Sequence, residues 1–161
     1  MRQVFISFHY EDNWKVQQIL GTQRFMQRFQ GQKIFSANEW EQVKRNGDSR
    51  IKSWIDDNMN KRSCCIVLIG KETANRRWVK YEIQKAWELG KGVFGIYIHN
   101  LKDKNGQITM RGLNPFDNFS YGQRPFSEIV EAYNPANVEI ILNNIEYWIE
   151  KAIHIRNLYP K

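Results

Sequence analysis

The chain of 161 residues carries a formal charge of +7, with 42% hydrophobic and 14% aromatic residues. That length suits a single domain, 1–161, with a proper core, and the composition excludes a disordered chain. No apolar run approaches the roughly 20 residues that cross a bilayer, and no signal segment precedes the first strand, so a cytoplasmic protein without a membrane partner is expected.

Val4 to Phe8 (VFISF) reads as the first strand, apolar on both faces except at Ser7. Such a strand lies centrally in a parallel sheet. Ligands of open α/β sheets bind beyond the carboxyl ends of strands, which makes Ser7, Phe8, His9 and Tyr10 candidates for substrate contact. The alternative is a plain strand end and a capping loop with Asp12 as the cap. Trp14, Val16, Ile19 and Leu20 continue as a helix interrupted at Gly21. Thr22 can cap a second piece with Phe25, Met26 and Phe29, closed by Gly31. Lys33 to Phe35 is a short second strand, which suits an edge. Ser36 to Gly47 (SANEWEQVKRNG) reads as a polar loop with one aromatic, Trp40.

Asp48 is placed to cap a helix that buries Ile51, Trp54, Ile55 and Met59. The third strand is Cys64 to Ile69 (CCIVLI). The adjacent cysteines point to opposite faces, which disfavours a disulfide and fits two reduced core thiols. The three histidines are scattered, and no Cys/His cluster has metal-ligand spacing. Gly70 to Asn75 is a loop at the height where Lys71, Thr73, Asn75 and the free amides near Arg77 could meet an anion. No Gly-x-Gly-x-x-Gly or Walker pattern is present. Basic pairs such as Lys44-Arg45, Lys61-Arg62 and Arg76-Arg77 are spread along the chain. They read as solvated surface, and without a binding motif no nucleic-acid partner is expected.

Asn75 to Leu89 (NRRWVKYEIQKAWEL) is the central helix, with Val93 to Ile98 (VFGIYI) as the fourth strand. Two apolar runs around a helix make a βαβ unit. Val79, Ile83, Ala86 and Gly90 form one apolar face. Glu82 falls between Trp78 and the Ala86 side of that face, where a carboxylate is costly unless something binds it. The bland alternative is a salt bridge from Glu82 to Lys85 or Arg77.

His99 to Phe119 is a long polar segment with Asn105-Gly106 as a turn. Ile129 to Ala132 is a short fifth strand. Asn134-Pro135 opens the last helix, whose stripe runs Val138, Ile141, Leu142, Ile145, Trp148, Ile149 and Ala152. That stripe reads as core packing, with a dimer surface as the other possibility. The fold expected is α/β, a flavodoxin-like open parallel five-stranded sheet of order 2-1-3-4-5 with helices on both faces. The sequence excludes two users of that order. A response-regulator receiver needs an acidic residue where Leu68-Ile69-Gly70 stands. A flavodoxin needs a Gly-rich phosphate loop where His9-Tyr10-Glu11-Asp12 stands.

FISFHYED, the run GKETANRRWVKYEIQKAWELGKGVFGIYI, and the insert HNLKDKNGQI followed by NPFD together resemble Toll/interleukin receptor (TIR) domains. The closer likeness is to bacterial TIR-like proteins of Thoeris-type anti-phage defence. In the TIR family a Trp-x-x-x-Glu pattern opens the helix after the third strand, here Trp78 and Glu82. The resemblance implies NAD+ cleavage between nicotinamide and ribose, with NAD+ as substrate and no cofactor. It implies Glu82 as the catalytic carboxylate beside the ribose. Trp78 would stack as a wall beside the ribose or nicotinamide, or equally pack as core, and Arg77 and Tyr81 are further candidates for substrate contact. In TIR domains the loop corresponding to Ser36–Gly47 contacts a neighbour and closes the site, which brings in Trp40 and Asn46. The Arg-Asp…Pro-Gly signature of animal TIR loops is absent, and only Arg45-Asn46-Gly47-Asp48 approaches it. Self-association and a product that acts on a separate effector protein are implied as well. Other readings stay open: a non-catalytic TIR-type interaction module, a nucleoside or nucleotide glycosyltransferase of similar fold, and a basic nucleic-acid binder.

Overall fold

The computed structural model describes residues 2–26 and 42–160. In chain order its strands are β1 (Val4–Phe8), β2 (Cys64–Ile69), β3 (Gly92–Tyr97), β4 (Ser120–Tyr121), β5 (Arg124–Pro125) and β6 (Ala132–Tyr133). The longer helices are α1 (Asn13–Leu20), α2 (Gln23–Met26), α3 (Asp48–Asn60), α4 (Arg77–Glu88) and α5 (Val138–Asn157).

Four strands pair in parallel in the order β1-β2-β3-β6. This is the expected run of first, third, fourth and fifth strands in a flavodoxin-like α/β sheet. The expected second strand, Lys33–Phe35, lies outside the described residues, as do Phe29, Gly31 and Trp40. Continuous apolar runs build β2 and β3 because both faces are covered, and every residue of either strand is buried.

The period of two in β1 sorts its side chains between two cores. Val4 and Ile6 join Val16, Ile19 and Leu20 of α1 and Ile141, Ile145, Trp148 and Ile149 of α5. Phe5 joins Ile51, Ile55 and Met59 of α3 and Val79, Ile83 and Ala86 of α4 on the other face. Cys64 belongs to the first core and Cys65 to the second, and both are free thiols. Burial pushes both thiols far above their ordinary range. The stripe on α5 packs inward as core, so its apolar residues are largely consumed within the chain.

Several boundaries differ from the sequence reading. The fifth strand begins at Ala132, not Ile129. A 3-10 turn over Phe126–Glu128 runs on through Ile129 and Val130, whose amides both donate to the Phe126 carbonyl. These two side chains are buried all the same, which explains why they resemble strand residues. Asn137, not Asn134, caps α5, its side chain accepting from the Ile140 amide at 3.0 Å. Gly47, at φ 91°, is the N-cap of α3, and Asp48 is already in its first turn. Part of the segment read as a loop is helical, at 42–45. The β4–β5 hairpin was not foreseen; Gly122 at φ 62° turns it.

Candidate functional site

Ser7 is the fourth residue of β1 and shares the parity of Phe5, so it faces α3 and α4. Opposite it, the apolar stripe Val79, Ile83 and Ala86 fixes the roll of α4. That roll carries Glu82 inward, 8% exposed. The two meet across the sheet–helix gap, the Ser7 hydroxyl donating to Glu82 Oε1 at 2.6 Å. Burial pushes the Glu82 carboxyl up to about 8, and the bond from Ser7 pulls the other way. Among the described residues no cation lies within ion-pair distance of Glu82. Lys85 instead stands 3.9 Å from Asp56, and Arg77 pairs with Asp48. The salt-bridge reading of Glu82 is therefore not what the fold shows.

Trp78 and its neighbours run along the seam of α3 and α4. The Arg77 guanidinium lies over the Trp78 ring at 4.6 Å, and Trp78 meets Tyr81 edge-on at 5.7 Å. Tyr81 donates its hydroxyl to Asp56 at 2.8 Å, and burial first, then Asp56, pushes the phenol up to about 12. Arg77, Trp78 and Tyr81 thus form one contiguous set. Asn46 is exposed just past the 42–45 turn, and the Arg77–Asp48 pair ties that end of the loop to the start of α4.

Phe8 packs on the opposite core, away from Glu82. His9 and Tyr10 are half-buried where β1 ends. His9 Nε2 lies 3.4 Å from Glu11 Oε2 without a hydrogen bond. His9, Glu11 and Glu72 offer possible metal-ligand atoms within 4.8 Å of one another, both carboxylates being exposed. Such exposed groups carry no metal assignment by themselves.

A second buried polar group lies at the carboxyl ends of β1, β2 and β3, and the sequence reading missed most of it. Asp12 does not cap α1; its carboxylate accepts from the Thr73 hydroxyl at 3.4 Å, and Thr73 accepts from the Gly70 amide. Burial raises the Asp12 carboxyl, with nearby His9 and Lys15 opposing. A Cβ on Gly70 would sit 2.1 Å from Asp12 Oδ2, so any side chain there displaces the Asp12 carboxylate. Lys15 is 4% exposed and donates to the His99 carbonyl and to Thr109. Arg111 rests over the Tyr97 ring at 4.2 Å. These contacts bind the long polar segment down on the sheet edge. The one signal for Lys15 was its place four residues before Ile19 on the buried side of α1.

Residues 5–103 match the model of a family described as Thoeris protein ThsB, TIR-like domain. The chain belongs to that family. The matched span runs from β1 through α4 and β3, and so contains both Ser7 and Glu82. A relative from Bacillus cereus (strain MSX-D12), named "Putative cyclic ADP-D-ribose synthase ThsB1", is 40% identical over 124 residues. The match covers 74% of this chain and 64% of that protein, so this ThsB-family chain spans about two thirds of its relative's length. No helix among the described residues is long and apolar enough to cross a membrane.

Proposed function

We propose that this ThsB-family chain cleaves NAD+ between nicotinamide and ribose and releases an ADP-ribose-derived signal molecule in anti-phage defence. The observation that carries the reading is Glu82: a buried carboxyl near the carboxyl end of β1, held by one hydroxyl and neutralised by no described cation. A purely structural carboxylate is normally paired. As a carboxylate Glu82 orients the ribose hydroxyls and offsets the positive charge that develops at C1′. The C1′–nitrogen bond breaks, and its electron pair leaves on nicotinamide, which becomes neutral. A nucleophile then bonds to C1′ and gives up a proton to solvent. Water yields ADP-ribose, and an adenine nitrogen of the same molecule yields a cyclic isomer. The relative's printed name favours the cyclic product here. NAD+ is substrate rather than cofactor, and the product would act on a separate effector protein.

Chromatography of NAD+ incubated with purified protein tests the reading. Expected are nicotinamide and one ADP-ribose-derived product, both absent with Glu82→Gln. Gln keeps the volume and loses the charge. NAD+ turnover by Glu82→Gln within a few-fold of the parent would remove Glu82 from catalysis. The 8% exposure of Glu82 favours a second reading, an interaction module without catalysis. No cleavage by the concentrated parent protein would decide for it.

A further inference from the structure

We infer that Ser7 is a positioning residue for Glu82, fixing the orientation and the charge state of its carboxyl instead of touching substrate. The role in cleavage rests on the proposed NAD+ reaction; the Ser7–Glu82 coupling does not. Ser7 is wholly buried and sits in register with Val67 of the neighbouring strand, so its backbone cannot shift without the sheet. Its hydroxyl donates to Oε1 of Glu82 at 2.6 Å, between residues 75 apart in the chain. A hydroxyl donor there holds one carboxyl oxygen and leaves the other to face a ligand. The same bond favours the ionised form, which burial otherwise disfavours.

The groups around the carboxyl leave Ser7 alone in that task among the described residues. From β1 it is faced by Ser7. From β2 the titratable neighbour is Cys65, whose thiol is held neutral by burial and by Glu82. On α4 itself Tyr81 is bonded to Asp56 and Lys85 is turned to the same residue, while Arg77 pairs with Asp48. From α3 come Asp56, Asp48 and Lys52, the last of these lying 5.8 Å from the Tyr81 ring. None of these supplies a charge to Oε1.

The test pairs a readout free of catalysis with one that needs it. Carboxyl carbons labelled with 13C at glutamate are titrated by NMR in the parent and in Ser7→Ala, with the Glu82 signal assigned by its loss in Glu82→Gln. Loss of a hydrogen bond to an ionised group should raise the Glu82 midpoint by about one to two pH units. The acidic limb of kcat/KM for NAD+ should move up by the same amount, so that activity lost near pH 7 returns at higher pH. Ser7→Thr, which keeps the hydroxyl and suits a strand, should restore the parent midpoint. A thermal melt of each variant shows that the fold persists. An unmoved Glu82 midpoint in folded Ser7→Ala overturns the inference, whatever happens to activity. A moved midpoint in a protein that never cleaves NAD+ upholds the Ser7–Glu82 coupling and sinks the proposed reaction instead.

Discussion

Glu82 puts stability and activity in opposition. Its carboxyl is raised from about 4.5 to about 8 in the fold, first by burial. Between these two values the unfolded chain has already lost the proton that the folded chain keeps. Folding stability through this group therefore falls as pH rises across that window, and the loss is complete above it. Gln at 82 has no such dependence. We expect Glu82→Gln to match the parent near pH 4.5 and to gain on it at higher pH. By pH 8.5 the gain should be about 4 kcal/mol, roughly 8–16 °C in Tm. Melts over that range check it; a constant difference would mean Glu82 ionises normally. Cleavage should run the opposite way, with kcat/KM climbing up to about tenfold per pH unit below 8 as the carboxylate forms. The sequence showed Glu82 near the apolar face of its helix, because a 3.6-residue period is enough for that. It could not show the bond from Ser7, because 75 residues separate the two and only the register of β1 against α4 brings them together. Asp12 escaped for the same reason. A carboxylate just before a helix reads as a cap, yet here Thr73 from the next strand's loop claims it.

Helix and strand boundaries followed local chemistry where one signal stood alone and failed where two competed. Asn134-Pro135 and Asn137 both look like helix starts, and Asn137 wins because its side chain reaches the Ile140 amide. Asn137→Ala should then lower stability by about 1 kcal/mol, the usual worth of such a cap. Asn134→Ala should cost less, since its side chain makes only an exposed 3.4 Å contact with Asn100. Equal losses in urea melts would return the cap to Asn134. At the fifth strand the competitors were burial and extension. Ile129 and Val130 are buried like strand residues but are spent in a turn. Gly70 offers a third check at this scale. Gly70→Ala forces Asp12 away from Thr73 and should loosen the β1 and β2 loop ends together, seen as faster amide exchange in both.

At the scale of the molecule, the parallel core order was legible because buried strands announce themselves as unbroken apolar runs. The long polar segment after β3 was not, since its anchors, Lys15 and Arg111, are charged residues that a hydropathy reading assigns to solvent. Self-association remains our proposal. If the loop at 36–47 completes a neighbour's site, specific activity will rise with protein concentration, and Trp40→Ala will flatten that rise without lowering Tm. A flat titration by an active monomer would end the shared-site idea. The adjacent cysteines of β2 have a use of their own. One thiol is sealed by α1 and α5 and the other by α3 and α4. Single-cysteine variants, Cys64→Ala and Cys65→Ala, thus turn one strand into two clocks, each timing the opening of one side of the protein to a thiol reagent. The side that holds the buried carboxyl should open first, so Cys65 should react faster than Cys64 near pH 8. Glu82→Gln should slow only the Cys65 clock.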